Sequence, residues 1–230
     1  MGALLEKGAG KVYAGARSIA SLGELTAGHG DRVVGVEIDV TNADQIATAA
    51  RGASDVTLLI NNAGVAGPAG IPITEAPSLQ MARDQMDVNL FGTLAVSQAF
   101  SPILGANGGG ALVNLVSVAG IVNFPPLATD SATKAAVHSL TQGFRFWLRE
   151  QGTHVAGVYP GPVDTDMAKE IPMEKESPEN VANYILTALE AGQEEIFPDA
   201  MAQGMGAGFE ESPKGLEHQV TEMITTMAAA

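Results

Sequence analysis

The sequence predicts a doubly wound α/β domain, with a parallel sheet held between two layers of helices. Apolar, β-rich runs alternate with helical patterns along the chain. Several of the runs are apolar on both faces, as strands covered from both sides must be. No internal repeat, low-complexity tract or linker interrupts the 230 residues, so 1–230 reads as one domain.

In chain order the strands are expected at "KVYAGA" (11–16), "RVVGVEID" (32–39), "VTLLINNA" (56–63), "ALVNLVSV" (111–118), "HVAGVYPG" (154–161) and "EEIFPD" (194–199). Helical patterns fall near 43–51, 79–104, 131–150 and 178–191. Thr41 or Asn42 can cap the first of these, and "SPEN" opens the last with a serine cap and proline at the first helical position. Beyond 200, "MAQGMGAGFEESPKG" reads as a surface loop or a lid, and "LEHQVTEMITTM" as a short amphipathic helix.

Hydrophobic residues make up 46% of the chain and charged ones 17%, which permits a sizeable core and argues against disorder. A formal charge of −14, from 26 acidic and 12 basic residues, opposes association with nucleic acid or an anionic membrane. There are no cysteines, which removes disulfides and thiolate metal sites and suits a cytoplasmic setting. No apolar run is read as long enough to span a bilayer, and "MGALLEKGAGK" has no secretory core.

The chemistry-bearing residues are Ser117, Asp130 and Lys134, spaced 13 and 4 apart. "NNAG" (61–64), Asn89 in "DVNLFGT", Ser117 in "VSVAG", Lys134 in "SATKAA" and "YPGPVDT" (159–165) appear in the same chain order. Together they resemble the short-chain dehydrogenase/reductase family over essentially the whole chain. The resemblance implies a Rossmann-like three-layer α/β/α fold. It also implies carbonyl or alcohol chemistry on a small molecule, and a homo-oligomer built partly on the helix carrying "FRFWLRE" (144–150). Ser117 would orient a carbonyl, Lys134 would tune the proton donor, and Asn89 would hold water behind it. Asp39 and Val40 would lie at the adenine, Asn62, Ala63 and Gly64 along the cofactor, and Pro160, Gly161, Val163 and Thr165 over the nicotinamide. Arg17, following Ala16 where an acid would bond a ribose, implies NADP(H) rather than NAD(H).

Two departures stand against the matches. Asp130 occupies the position of the family's tyrosine, the proton donor. A model tyrosine titrates near ~10 and an aspartate near ~3.9, so beside Lys134 the carboxylate is expected to be ionised and unable to donate. An acid at this point also serves as a helix N-cap, or as a partner for Lys134 one turn on. Secondly, the family's first strand and glycine-rich phosphate turn have no counterpart, because "GAG" (8–10) precedes a strand rather than a helix. The sequence is accordingly expected to be a shortened form. Either strands 11–16 and 56–63 close together, or another segment or chain fills the place between them.

Other chemistries have the letters but not the context. "SATK" (131–134) is formally S-x-x-K, which would let Lys134 activate Ser131 as a hydrolase nucleophile. Ser117, His138 and Asp130 spell a triad, yet "VSVAG" is not a G-x-S-x-G elbow. Tyr159 is a candidate phenol at the crevice, whereas Tyr13 and Tyr184 read as packing residues. His29, His154 and His218 have no metal-ligand spacing. A non-catalytic protein that binds a small molecule or its own copies stands as a further alternative.

Overall fold

The computed structural model describes residues 1–169, 171 and 173–229. It is an α/β fold whose strands are all parallel, but the strands form two sheets rather than one. The first sheet pairs β1 (Val12–Ala16) with β2 (Val33–Glu37), in register from Val12 opposite Val33 to Ala16 opposite Glu37. The second runs in the order β3 (Leu58–Asn61), β4 (Ala111–Leu115), β5 (His154–Val158) and β6 (Glu195–Ile196). Among the described residues β3 pairs with β4 alone, from Leu58 opposite Ala111 to Asn61 opposite Asn114. Among the described residues the strands at 11–16 and 56–63 do not close together, and no strand of this chain pairs between them.

What joins the sheets is side-chain packing on one face. Helix α3 (Ala43–Gly52) starts at Asn42, whose side chain accepts from the backbone N–H groups of Asp44 and Gln45. Its Ile46, Ala49 and Ala50 pack with Val96 and Phe100 of helix α5 (Thr93–Ala106). Tyr13, Val36 and Ile38 of the first sheet and Leu59 of the second lean on that same cluster. On the opposite face the short helix α1 (Gly2–Glu6) sits against α7 (Pro178–Glu190), where Lys7 meets Glu190 at 2.8 Å. Below β3, Asp55 is held from β1: Tyr13 donates to it at 2.7 Å and Lys11 at 2.9 Å.

The remaining elements follow from local chemistry. A short turn, α2 (Gly23–Thr26), lies between β1 and β2. The helix expected near 79–104 is a continuous rod of α4 (Pro77–Met86), a π-helical turn (Asp87–Gly92) and α5. Its span Pro77–Ala106 reaches a mean hydropathy of 1.2 over an 18-residue window, which meets the composition of a membrane span and corrects the expectation that no apolar run is long enough for one. Its packing on α3 and β3 gives that apolar character a place in the core. Helix α6 runs Ala128–Leu148, and α7 begins after Ser177, which accepts from Asn180 N–H as its motif predicts.

The expected loop beyond 200 is instead helix α8 (Ala200–Glu211), capped by Asp199 and followed by α9 (Pro213–Ala229). The glycines do not prevent it, because α8 is held from outside. Ala202 packs with Val118, Phe124, Leu216 and Val220, and the Gly206 position lies close against the Phe197 ring. Tertiary packing overrides the low helix propensity of glycine here. Phe100→Ala empties the centre of the cluster that joins the sheets. It is expected to lower stability by about 3–5 kcal/mol and to speed amide exchange at β1 and β2 before β4 and β5, measured by hydrogen-exchange mass spectrometry.

Candidate active site

The loops that follow the strands all open on one edge of the fold. Arg17 follows β1, Asp39 follows β2, Asn62 follows β3, Ser117 follows β4 and Pro160 follows β5. This is the edge where doubly wound sheets bind ligands.

Asn89 is the node of the site. It lies in the π-helical turn, only 2% exposed, where the widened turn breaks the ordinary ladder. Its side chain clamps the loop after β3, accepting from Val65 N–H at 2.8 Å and donating to Val65 C=O at 3.0 Å. It also donates to Thr133 Oγ1 at 2.9 Å and, at 3.4 Å, to Asp130 Oδ1. A methyl group built on Gly64 would lie 3.5 Å from Asn89 Oδ1 and 3.6 Å from Lys134 Nζ, so Gly64, Asn89 and Lys134 converge on one point. Lys134 Nζ donates to Leu115 C=O at 3.4 Å. Asn89, Asp130 and Lys134 are thus brought together as the resemblance implies.

Ser117 follows β4 with φ 153° and ψ 159°, a geometry ordinarily left to glycine. Its hydroxyl donates to Pro160 C=O at 3.3 Å and accepts from Ala119 N–H at 3.1 Å. It ties the β4 loop to the loop after β5.

Asp130 corrects two expectations. It lies in the first turn of α6, but the turn's cap is Leu127 and no side-chain cap bond forms. Nor do Asp130 and Lys134 make an ion pair among those found in the described residues. Burial pushes the Asp130 carboxyl above its ordinary value, against the opposing pull of Lys134. Burial likewise pushes the Lys134 ammonium down, with Asp130 opposing. Desolvation thus acts on this carboxyl more strongly than the neighbouring charge, contrary to the expectation from proximity alone.

The cofactor-side residues divide. Asp39 accepts from the Thr41 hydroxyl at 2.7 Å and Thr41 N–H at 2.9 Å, and these bonds hold its carboxyl below the ordinary range. Exposed Arg17 stands close enough to assist that shift. Val40 packs on Gly92, where a methyl group would come within 2.6 Å of it. Asn62 and Ala63 are exposed beside the open edge of β3, and Gly64 is half-buried. Pro160, Gly161 and Val163 form a half-buried loop, with Val163 bridged to Glu176 and Thr165 exposed at its end. The region 165–175 includes positions 170 and 172, which lie outside the described residues.

The hydrolase constellations do not assemble. Ser131 is 1% exposed, and its hydroxyl accepts from Phe124 N–H at 3.1 Å rather than meeting Lys134. His138 Nδ1 lies 2.7 Å from the Tyr159 hydroxyl, and its Nε2 lies 3.2 Å from Gln142 Nε2. Tyr159 is fully buried and stacked on Phe197, and burial pushes its phenol far up. It is a core residue, not a crevice phenol.

Sequence reasoning missed Thr133, Asp199 and a buried polar chain behind the site. In that chain Asn61 donates to Ser97 and to Asn114 at 2.8 Å each, and Asn114 donates to Thr141 at 2.9 Å. Asparagine at the centre of the apolar run "ALVNLVSV" was the available signal. Asp199 had only its place before a glycine-rich stretch. One of its oxygens caps α8 at Ala202 N–H, and the other accepts from Gly161 N–H, both at 2.8 Å.

A family model described as short chain dehydrogenase matches residues 2–176. The chain belongs to the short-chain dehydrogenase family. It is 34% identical over 197 residues to galactitol 2-dehydrogenase of Rhizobium johnstonii, covering 76% of this chain and 74% of that one. It is also 38% identical over 150 residues to a Xanthobacter autotrophicus protein named inactive 2-(S)-hydroxypropyl-CoM dehydrogenase 2, across 63% of this chain and 64% of that one. Among solved structures, a Burkholderia cenocepacia short chain dehydrogenase in complex with NADP superposes with a TM-score of 0.86 at 42% identity, over 95% of this chain and 90% of the other.

Two outcomes test this geometry. A carboxyl whose folded value is raised gives the fold stability that is complete below the unfolded value of 3.8 and is lost as pH rises through the folded value. Asp130→Asn removes that loss. Its melting temperature should exceed that of the unmodified chain at pH 7, and the difference should shrink towards pH 3.8, as read by calorimetry. Asp199→Ala should cost about 1 kcal/mol from the lost cap, with faster amide exchange at Gly161 as well as in α8.

Proposed function

We propose that this chain is a scaffold for NADP(H)-linked carbonyl or alcohol chemistry, impaired in proton donation. The observation that carries the reading is the convergence of Asn89, Lys134 and Gly64 around a carboxyl where the family has a phenol. When bound, the nicotinamide would supply or accept the hydride. The chain's own residues fit two ends of such a cofactor. Arg17 and Asp39 suit the adenosine end and its 2′-phosphate, and Pro160, Gly161, Val163 and Thr165 suit the nicotinamide end. They do not fit the middle, because among the described residues no glycine-rich turn opens a helix between β1 and β3. Ser117 would orient a small carbonyl or alcohol. Lys134, with its pKa pushed down by burial, and Asn89 hold the donor region, but Asp130 is shorter than a phenol and does not reach the same point.

Phe146 and Trp147, 55% and 77% exposed on α6, support a homo-oligomer in solution. The −14 charge and absence of cysteine support a cytoplasmic protein that does not engage nucleic acid or membranes. Neither Ser131 nor His138 favours the hydrolase alternative.

Titration with NADPH, followed by its fluorescence, tests the reading. Saturable binding weaker in Arg17→Ala is expected, and no binding at millimolar NADPH refutes it. In the same assay with a ketone, Asp130→Tyr should reduce faster than the unmodified chain, within the ~10²–10⁴-fold range of general acid catalysis. The gain should vanish when Lys134→Ala is added. Ordinary turnover by the unmodified chain would overturn the impairment.

A further inference from the structure

His138 and Tyr159 meet directly before the 160–165 loop, in a contact that the site chemistry does not use. His138 Nδ1 lies 2.7 Å from the Tyr159 oxygen, and the two rings stand edge to face with centroids 5.5 Å apart. Tyr159 has no exposed surface. A methyl group built on Gly157 would lie 2.6 Å from its oxygen, so the phenol rests against the backbone of β5. Burial pushes that phenol far above its ordinary range, so it keeps its hydrogen and is the donor in the contact. His138 Nδ1 is then the acceptor, which puts the ring hydrogen on Nε2. Nε2 lies 3.2 Å from the Gln142 amide, which accordingly presents its oxygen there.

We infer that this pair is a pH-sensitive latch on the 160–165 loop: neutral His138 holds Tyr159, and protonation of His138 releases it. A charged imidazole carries hydrogen on both nitrogens, so Nδ1 no longer accepts and the buried phenol O–H is stranded. Burial is the largest influence on His138 and holds it below its ordinary range. Of the charges facing it, Glu195 of β6 favours the cation and Arg145, two turns further along α6, opposes it. Glu194 pairs with Arg145, and Lys134, one turn before His138, donates to Leu115 C=O. The neutral ring's contribution to stability is whole above the ordinary value of 6.5 and is lost as pH falls through the lower folded value. Release has two routes outward. Tyr159 N–H donates to Ile196 C=O at 2.8 Å, and its ring stacks on Phe197 at 5.1 Å. The Phe197 ring lies close against the Gly206 position of α8, while the next residues along the chain, Pro160 and Gly161, are held by Ser117 and Asp199. Displacing the phenol therefore loosens the loop and α8 together. The inference does not depend on hydride chemistry.

The test uses the full chain carrying ¹⁵N-labelled histidine, with the His138 signals identified by their loss in His138→Asn. Nuclear magnetic resonance should show hydrogen on Nε2 of neutral His138 and a titration midpoint below 6.5. Hydrogen exchange, corrected for the pH dependence of the intrinsic rate, is then compared at about pH 7.5 and about pH 5, which bracket histidine titration. Protection at Gly161 and across Ala200–Glu211 should fall by about tenfold or more at the lower pH. Asparagine at this position offers an acceptor that does not charge, so His138→Asn should keep its protection at the lower pH. Tyr159→Phe has no phenol hydrogen to strand, so it should lose the pH step even if its protection starts lower. Hydrogen on Nδ1 of the neutral ring, a midpoint at or above 6.5, protection equal at the two pH values, or a step that survives in either variant overturns the inference.

Discussion

A small apolar cluster does the work normally done by a hydrogen-bonded ladder in this fold. Ile46, Ala49 and Ala50 on one helix, and Val96 and Phe100 on another, receive side chains from both sheets. Besides it, the Tyr13–Asp55–Lys11 contacts and the α1–α7 packing help to fix the place of the β1–β2 pair. Exposed polar contacts of that kind contribute little. Dispersion and apolar burial are non-directional, so they can hold two sheets in line without setting a register between them. The result is a layered structure whose outer strands are placed by helices rather than by neighbouring strands.

The active-site edge inherits its order from the intact part. Asn89 in its π-helical turn fixes the loop after β3, Ser117 binds the loop after β4 to that after β5, and the Asn61–Asn114–Thr141 chain stiffens the sheet beneath them. None of these groups depends on a strand between β1 and β3. Asp130 belongs to the same part. Its burial is enforced by α6 and the Asn89 turn, and this sets its protonation more strongly than its neighbour Lys134 does.

Much of this was legible in the sequence, for identifiable reasons. The strands at 11–16, 32–39, 111–118 and 154–161 are short apolar runs too brief for a typical helix, and the caps at Asn42 and Ser177 follow from side chains that can reach backbone N–H groups. Asn89 and Lys134 stood out through motif order. The helix Ala200–Glu211 was illegible because its glycines are weak helix formers individually, and only packing against Phe197 and Leu216 makes them useful. The protonation of Asp130 and the burial of Tyr159 could not be read either, since desolvation is a property of the three-dimensional surroundings.

The carboxylate of Asp199 has one oxygen on Gly161 and the other on the first turn of α8. A single rigid group thus bolts the loop after β5 to the C-terminal pair of helices. Whatever displaces one side pulls on the other, and thermodynamic reciprocity makes the influence equal in both directions. A ligand settling against the 160–165 loop would accordingly be felt along α8 and, through Ala202, at Leu216 and Val220 of α9.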